Sequence, residues 1–98
     1  MEVRYHSEAK EDLKEINQEA RQRIKQKVKQ LEEEPTDHQD TKLVQIKGRD
    51  IYRLEIKEKR RGSIDHRAIY DIEDGKIRIY SVFYREPGYP REEIASRL

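Results

Sequence analysis

The chain has 98 residues, of which 33% are hydrophobic and 44% are charged, and its formal net charge is +1. This length allows one domain with a single modest core, and the clear periods of the apolar residues argue against disorder. The absence of cysteine excludes a disulfide framework, a thiolate nucleophile and Cys-ligated zinc. Because there is no apolar leader and no run near the ~20 residues of a membrane span, we expect a soluble, cytoplasmic protein.

The two halves of the chain differ in charge. Residues 1–40 hold 8 Lys/Arg against 11 Asp/Glu, whereas residues 41–98 hold 14 against 10. The C-terminal half is therefore the basic one, which weakly favours a polyanionic partner on that side. His6, His38 and His66 lack the spacing of metal ligands, and no Gly-rich phosphate loop is present. We expect neither a metal nor another cofactor.

The first predicted element is a short strand over residues 2–6, where Val3 and Tyr5 alternate with polar neighbours. Ser7 suits the N-cap of a helix that follows at once. From Ala9 to Leu31 an apolar residue recurs every three or four positions, which is the pattern of an amphipathic helix.

This helical pattern covers residues 7–34 and is compatible with one helix or with two. One helix would be about 42 Å long, which exceeds the width expected of so small a domain. We therefore predict a hairpin of two helices that turns at Asn17-Gln18, with Pro35 ending the second helix. The lysines at 25, 27 and 29 beside the glutamates at 32–34 indicate a solvated face, with an RNA-facing ridge as the alternative.

From Lys42 the apolar period changes from 3.6 towards 2. Residues 43–46 form a short apolar lead-in, and Gly48 permits a turn. Alternation then predicts strands over residues 51–57, 64–72 and 76–84. A polar turn over residues 58–63 separates the first two strands, and Glu73-Asp74-Gly75 is typical of a tight hairpin.

The predicted order is β-α-α-β-β-β, an α+β fold in which a helical hairpin packs on one face of a small, mainly antiparallel four-stranded sheet. Strict alternation places Tyr52 and Tyr70 in the core, and puts Ser81 and Phe83 on the same face as the isoleucines of the last strand. The opposite face is expected to carry four charged side chains towards solvent: Arg53, Glu55, Lys57 and Arg67.

Beside this charged face, the turn over residues 58–63 gathers further basic residues. We predict that Lys57, Lys59, Arg60 and Arg61 bind RNA, because a basic turn next to an open charged sheet face can hold a phosphate backbone. The simpler interpretation is a solvated turn.

The whole chain, taken as one domain over residues 1–98, resembles the RelE/ParE superfamily of toxins from type II toxin-antitoxin systems. The resemblance rests on the order of elements and on four segments: YRLEI, HRAIYDI, EDGKIRIYSV and the terminal YREPGY. Nuclease members of this superfamily cleave messenger RNA in the ribosomal A site without a metal, using the RNA 2′-hydroxyl as the nucleophile. The resemblance therefore implies a RelE-like fold and an mRNA endoribonuclease.

The resemblance also implies the residues that would carry this activity. Arg67 and Arg85 match the superfamily's two phosphate-binding arginines, and Tyr89 matches its C-terminal tyrosine, which stacks on a base or orients the 2′-hydroxyl. Arg53 and Glu55 stand where the RelE type has two lysines. Since arginine is a poor base, Glu55 is the candidate general base.

Each of these side chains also has a purely structural interpretation. Arg67 can pair with Asp65, Asp71 or Glu55 across strands, and Tyr89 can fasten the tail to the sheet. His66 is adjacent to Arg67, but alternation directs it to the opposite face.

Partners and alternatives follow from the same resemblance. It implies a cognate antitoxin, the ribosome and mRNA, operator DNA through the antitoxin complex, and no membrane. The alternatives are a ParE-like toxin that inhibits DNA gyrase by binding, and an inactive relic that still binds an antitoxin.

Overall fold

The computed structural model describes residues 1–57, 64–84 and 91–98. Its elements, in chain order, are β1 (Glu2–Tyr5), α1 (Ser7–Lys14), α2 (Gln18–Gln30), β2 (Thr41–Ile46), β3 (Arg49–Lys57), β4 (Ile64–Glu73), β5 (Lys76–Tyr84) and α3 (Arg91–Arg97). The strands form one sheet in the order β1-β5-β4-β3-β2. β1 runs parallel to β5, and the other neighbours are antiparallel.

The predicted α+β class is confirmed, with five strands rather than four. The predicted lead-in over residues 43–46 is part of β2, because a tight turn at Lys47 and Gly48, with φ of 55° and 70°, folds residues 41–46 back onto β3. None of the described helices is long and apolar enough to cross a membrane.

The helical hairpin is confirmed, and its break falls where the sequence placed it. Asn17 is the N-cap of α2, since its Oδ1 accepts from the Ala20 amide at 2.9 Å. Arg21 closes the hairpin by donating to the carbonyl oxygens of Leu13 and Ile16, at 2.9 and 2.8 Å. These bonds fasten the start of α2 to carbonyls at and just beyond the end of α1.

Two predicted helix boundaries were wrong. His6, not Ser7, is the N-cap of α1, and its Nδ1 accepts from the Glu8 amide at 3.3 Å. α2 ends at Gln30 and gives way to turns before Pro35 is reached.

The main core lies between the helical hairpin and one face of the sheet. Tyr70 is fully buried there and stacks on Tyr52, with ring centroids 5.3 Å apart, so both tyrosines are core residues as predicted. The Tyr70 hydroxyl donates to the Pro35 carbonyl at 2.6 Å and lies 3.2 Å from the Thr41 hydroxyl. This side chain therefore ties the sheet to the segment that links α2 to β2.

Burial raises the pKa of Tyr70 from 10.0 to about 12. Because the folded-state pKa is the higher one, this tyrosine contributes stability below pH 10 that is lost as the pH rises through 12. We expect Tyr70→Phe to lower the free energy of unfolding at pH 7 by about 1 kcal/mol, through loss of the hydrogen bond. We also expect it to flatten the fall in stability between pH 10 and 12.

Urea unfolding at pH 7, 10 and 11 measures both effects. Tyr5→Phe is the matched control for the hydrogen bond at pH 7. Burial likewise raises the pKa of Tyr5 to about 12, but the Tyr5 hydroxyl has no hydrogen-bond partner within residues 1–57, 64–84 and 91–98. An equal alkaline fall in the wild type and in Tyr70→Phe would show that Tyr70 does not carry this dependence.

α3 covers part of the other face of the sheet, which the sequence analysis expected to be open. A second apolar cluster of Ile46, Ile51, Ile69 and Ile94 lies there, and Ile94 of α3 is fully buried in it. A ten-residue strand such as β4 presents apolar as well as charged side chains to this face, and α3 shields the apolar part from water.

A β-bulge in β5 overturns the predicted facing of its second half. Ser81 pairs with Ile69 and Ile79 pairs with Tyr70, so Tyr80 is the extra residue. Beyond it the alternation is inverted, and Val82 joins the main core while Phe83 packs against the second cluster. The prediction for residues 81–84 was therefore wrong.

Candidate functional site

Three neighbouring strands bring three of the four predicted charged side chains, Arg53, Glu55 and Arg67, together on the outer face of the sheet, the face opposite the helical hairpin. Glu55 of β3 lies directly across from Arg67 of β4. On the other side, Lys42 of β2 lies directly across from Arg53 of β3. Since Arg53 and Glu55 are two positions apart on one strand, they point to the same face. The four residues Lys42, Arg53, Glu55 and Arg67 are called the cross-strand group below.

Glu55 is the centre of the cross-strand group, and it is buried rather than directed to solvent as predicted. Its side chain is 8% exposed. Its Oε1 accepts from Nη2 of Arg53 at 3.1 Å and lies 3.4 Å from Nζ of Lys42. The prediction failed because it placed no strand on the β2 side of β3, so it did not expect Lys42 beside Glu55.

The cations of the group lie closer to solvent than the carboxylate does. The side chain of Lys42 is 59% exposed and that of Arg53 is 21% exposed, while Arg67 is half-buried. The surface above Glu55 is therefore formed by positive groups. An anion that approaches this face meets guanidinium and ammonium groups first.

Lys57 lies at the end of β3 and belongs to a second set of charges. Its Nζ is 3.9 Å from the carboxylate of Asp40, which also accepts a hydrogen bond from Lys27 of α2. Burial alone would raise the pKa of Asp40, but the hydrogen bond and charge of Lys27, together with the charge of Lys57, hold that pKa below its usual value. Asp40 is therefore an ionised anchor for both lysines.

The segment around Asp40 is fixed by His38, which is buried. Nδ1 of His38 accepts from the Asp40 amide at 3.1 Å, so the ring proton is on Nε2, which is 2.7 Å from Oε1 of Gln30. The Asp40 carbonyl in turn accepts from the Glu55 amide at 2.9 Å. These bonds lock β3 onto the segment that precedes β2.

Several predicted site residues lie outside the described residues: Lys59, Arg60, Arg61, Arg85 and Tyr89. The described strands end at the same side of the sheet, because Lys57 pairs with Ile64 and Tyr84 pairs with His66. His66 is buried and makes an edge contact with Tyr84, 5.4 Å between ring centroids. It points to the helix side, as alternation predicted, away from the cross-strand group.

Lys42 is the residue of this site that sequence analysis missed. It precedes the predicted lead-in over residues 43–46, although Lys42, Val44 and Ile46 alternate with their neighbours and a Gly at 48 follows them, which is the pattern of a hairpin strand. Over residues 1–57, 64–84 and 91–98, no three His, Asp or Glu side chains come close enough to hold a metal ion.

Comparisons with known proteins agree with this architecture. Residues 3–89 match the family model described as the ParE toxin of the type II toxin-antitoxin system parDE. An arginine-to-alanine double mutant of the E. coli toxin RelE in the free state is 19% identical, with a TM-score of 0.71 over 99% of this chain and 96% of that one.

Two solved complexes have the same fold. The archaeal RelE-RelB complex from Pyrococcus horikoshii OT3 is 23% identical, with a TM-score of 0.68 over 87% of this chain and 94% of that one. The intact E. coli RelBE toxin-antitoxin complex is 19% identical, with a TM-score of 0.64 over 87% and 96%. No curated protein matches the chain.

Proposed function

The chain belongs to the ParE toxin family of type II toxin-antitoxin systems, and on this premise we propose that it is a metal-independent, ribosome-dependent endoribonuclease that cleaves messenger RNA. The observation that carries the proposal is the cross-strand group. Three strands place Lys42, Arg53 and Arg67 on one face, and the carboxylate of Glu55 lies beside Lys42 and Arg53. Such a face suits a phosphodiester.

The proposed reaction is an internal transesterification. The 2′-oxygen attacks the neighbouring phosphorus and loses its proton, while the bond from phosphorus to the 5′-oxygen breaks and that oxygen takes up a proton. The products are a 2′,3′-cyclic phosphate and a free 5′-hydroxyl. Negative charge develops on the phosphoryl oxygens, so fixed cations that face them accelerate the reaction, and alignment of the 2′-oxygen with the leaving group adds to this.

We assign the residues as follows. Arg67 and Arg85 bind the scissile phosphate, because a guanidinium makes two parallel hydrogen bonds to phosphoryl oxygens. Tyr89 stacks on a base or orients the 2′-hydroxyl, and Arg53 adds positive charge behind Arg67. We assign RNA binding outside the reacting phosphate to Lys57, Lys59, Arg60 and Arg61.

We also propose a cognate antitoxin as a partner. Two of the similar structures are RelE in complex with RelB, and the positive outer face favours a partner with acidic residues. A gene for a small acidic protein beside this one would support the assignment. The antitoxin complex would provide the contact with operator DNA.

Primer-extension mapping of cellular transcripts after induction of the protein tests the proposal. We expect cuts in codon phase with the wild type and none with Arg85→Ala. Arg4→Gln is the control, because Arg4 is an exposed arginine of β1 that pairs only with the surface residue Glu2 among the described residues. Growth arrest with intact transcripts would overturn the nuclease assignment.

A second function, inhibition of DNA gyrase by binding, is favoured by one specific observation. The matching family model is that of the ParE branch, whose toxic action requires no catalytic base. The two functions are separated by a supercoiling assay with purified gyrase. Relaxed plasmid in that assay, together with intact transcripts in cells, would establish the gyrase alternative. Activity in neither assay would leave the antitoxin-binding relic.

A further inference from the structure

We infer that Glu55 is a positioning residue, and that it holds Lys42 of β2 in the site as a further cation for the RNA backbone. The inference rests on the proposed nuclease function and changes the role that the sequence suggested for Glu55. Instead of accepting a proton from the 2′-hydroxyl, its carboxylate would fix two cations, Arg53 of its own strand and Lys42 of β2, while Arg67 lies across from it on β4.

Burial is the first argument. A general base has to come within about 3 Å of the proton that it removes, but the side chain of Glu55 is only 8% exposed. The cations that it contacts, Arg53 and Lys42, are both more exposed to solvent than the carboxylate is. An RNA chain on this face would contact those cations before the carboxylate.

The second argument is that Arg53 and Lys42 have no alternative anchor. Within residues 1–57, 64–84 and 91–98, Glu55 is the only carboxylate within 4 Å of either side chain. Nε of Arg53 is buried, so this arginine cannot turn towards another partner without repacking. Lysine and arginine lose considerable rotamer entropy when they are held in place. The contact with Glu55 restricts both side chains before RNA binds, so less entropy is lost on binding.

The third argument is the width of the group. Lys42, Glu55 and Arg67 lie on β2, β3 and β4, and neighbouring strands are about 4.8 Å apart. The cations therefore extend over about 10 Å, which is wider than one phosphate group. Arg67 would serve the reacting phosphate, and Lys42 would bind the backbone beside it.

Single-turnover cleavage of ribosomes programmed with a short message tests the inference. We expect Glu55→Gln to raise the protein concentration that gives half-maximal cleavage about tenfold. This is the opposite of the simple charge effect, since removing a negative charge would by itself strengthen the binding of RNA. We expect Lys42→Ala to raise it about fivefold. The matched control is Lys29→Ala, on the helix side, because Lys29 is exposed and forms no ion pair with any described residue.

The double variant gives the sharpest readout. If Glu55 acts through Lys42, the combination of Glu55→Gln and Lys42→Ala should bind little worse than Glu55→Gln alone, because Lys42 has already been released. The shape of the pH profile at saturation should be that of the wild type. A saturating rate that falls and loses its acidic limb would show that Glu55 is the base and overturn the inference. So would an unchanged or lower half-saturating concentration for Glu55→Gln.

The failure of this inference can be distinguished from the failure of the nuclease assignment. Absence of cleavage by the wild type overturns the assignment itself. Whether Glu55 fixes Arg53 can then be tested without RNA. The Nε–H signal of Arg53 in ¹⁵N spectra should shift and broaden in Glu55→Gln, and an unchanged signal would overturn the inference. If Glu55→Gln does not fold, wild-type cleavage by Lys42→Ala, an exposed and tolerant position, overturns the inference.

Discussion

Replacing Arg67 by glutamine is expected to lower the rate of RNA cleavage by about 100- to 1,000-fold, the effect of removing one fixed donor to a developing oxyanion. Arg67 lies in the middle of the sheet on β4, between Glu55 and Phe83 of the neighbouring strands. Because strands flank it on both sides, the backbone that carries Arg67 is rigid, and a cation on a rigid element stabilises a transition state with little rearrangement. Single-turnover cleavage of programmed ribosomes measures the rate.

The control for this experiment is Arg4→Gln, which also removes one positive charge from a strand but at an exposed surface pair. Because Arg67 is half-buried, urea unfolding should accompany the assay, so that loss of fold is not taken for loss of chemistry. Cleavage by Arg67→Gln within threefold of the wild type would remove this residue from the site. If Arg67→Gln still arrests growth without cleavage, the result would favour inhibition of DNA gyrase as the toxic activity.

Local sequence signals predicted the elements whose geometry is decided locally. Asp74 and Gly75 both have positive φ, 53° and 73°, as the tight turn between β4 and β5 requires. The break at Asn17 was predictable for the same reason, since its side chain caps the helix that begins next to it. These features depend on a few consecutive residues and need no knowledge of the rest of the fold.

The errors arose where distant parts of the chain decide the outcome. The bulge at Tyr80 is stabilised by groups from elsewhere, because its hydroxyl donates to the buried Asp71 at 3.1 Å and its carbonyl accepts from Arg97 at 3.0 Å. Alternation cannot reveal an extra residue of this kind. α3 was not predicted, since its seven residues are too short to show a helical period.

The candidate site was predictable only where local strand geometry decides which side chains share a face. Arg53 and Glu55 share a face because they are two positions apart, and Arg67 faces them because β3 and β4 are joined as a hairpin. The burial of Glu55 was not predictable, since it depends on Lys42 from β2, a strand that the sequence analysis did not identify.

Arg97 of α3 is the second residue whose loss should have a large effect, in this case on stability. β1 pairs with β5 only as far as Ile79. Beyond that residue, the edge of β5 that faces away from β4 has no neighbouring strand within the described chain. Asp12 of α1 takes the place of the missing strand there. Its carboxylate accepts from the Val82 amide at 2.9 Å and from Nη1 of Arg97 at 2.6 Å. Arg97 therefore joins α1, β5 and α3.

The surroundings of Arg97 keep it charged and ordered. Its side chain is 5% exposed and forms further ion pairs with Glu8 at 3.0 Å and Glu93 at 2.8 Å. The hydrogen bond from Arg97 to Asp12 raises the pKa of the guanidinium, and this outweighs the opposite effect of burial. Truncation would leave the Asp12 carboxylate and the Tyr80 carbonyl without this donor, and it would detach α3 from the edge of the sheet.

Arg97→Ala is therefore expected to lower the free energy of unfolding by about 3 kcal/mol, the usual cost of breaking a buried ion pair from one side. For a chain of this length that corresponds to a fall in Tm of about 15 °C. Arg97→Lys keeps the charge but cannot form the same fork of bonds, so it should lose about half as much. Arg23→Ala, which removes a surface pair with Glu19 on α2, should cost less than about 0.5 kcal/mol. Urea and thermal unfolding measure all three, and equal stability of Arg97→Ala and Arg23→Ala would show that α3 is not held by this contact.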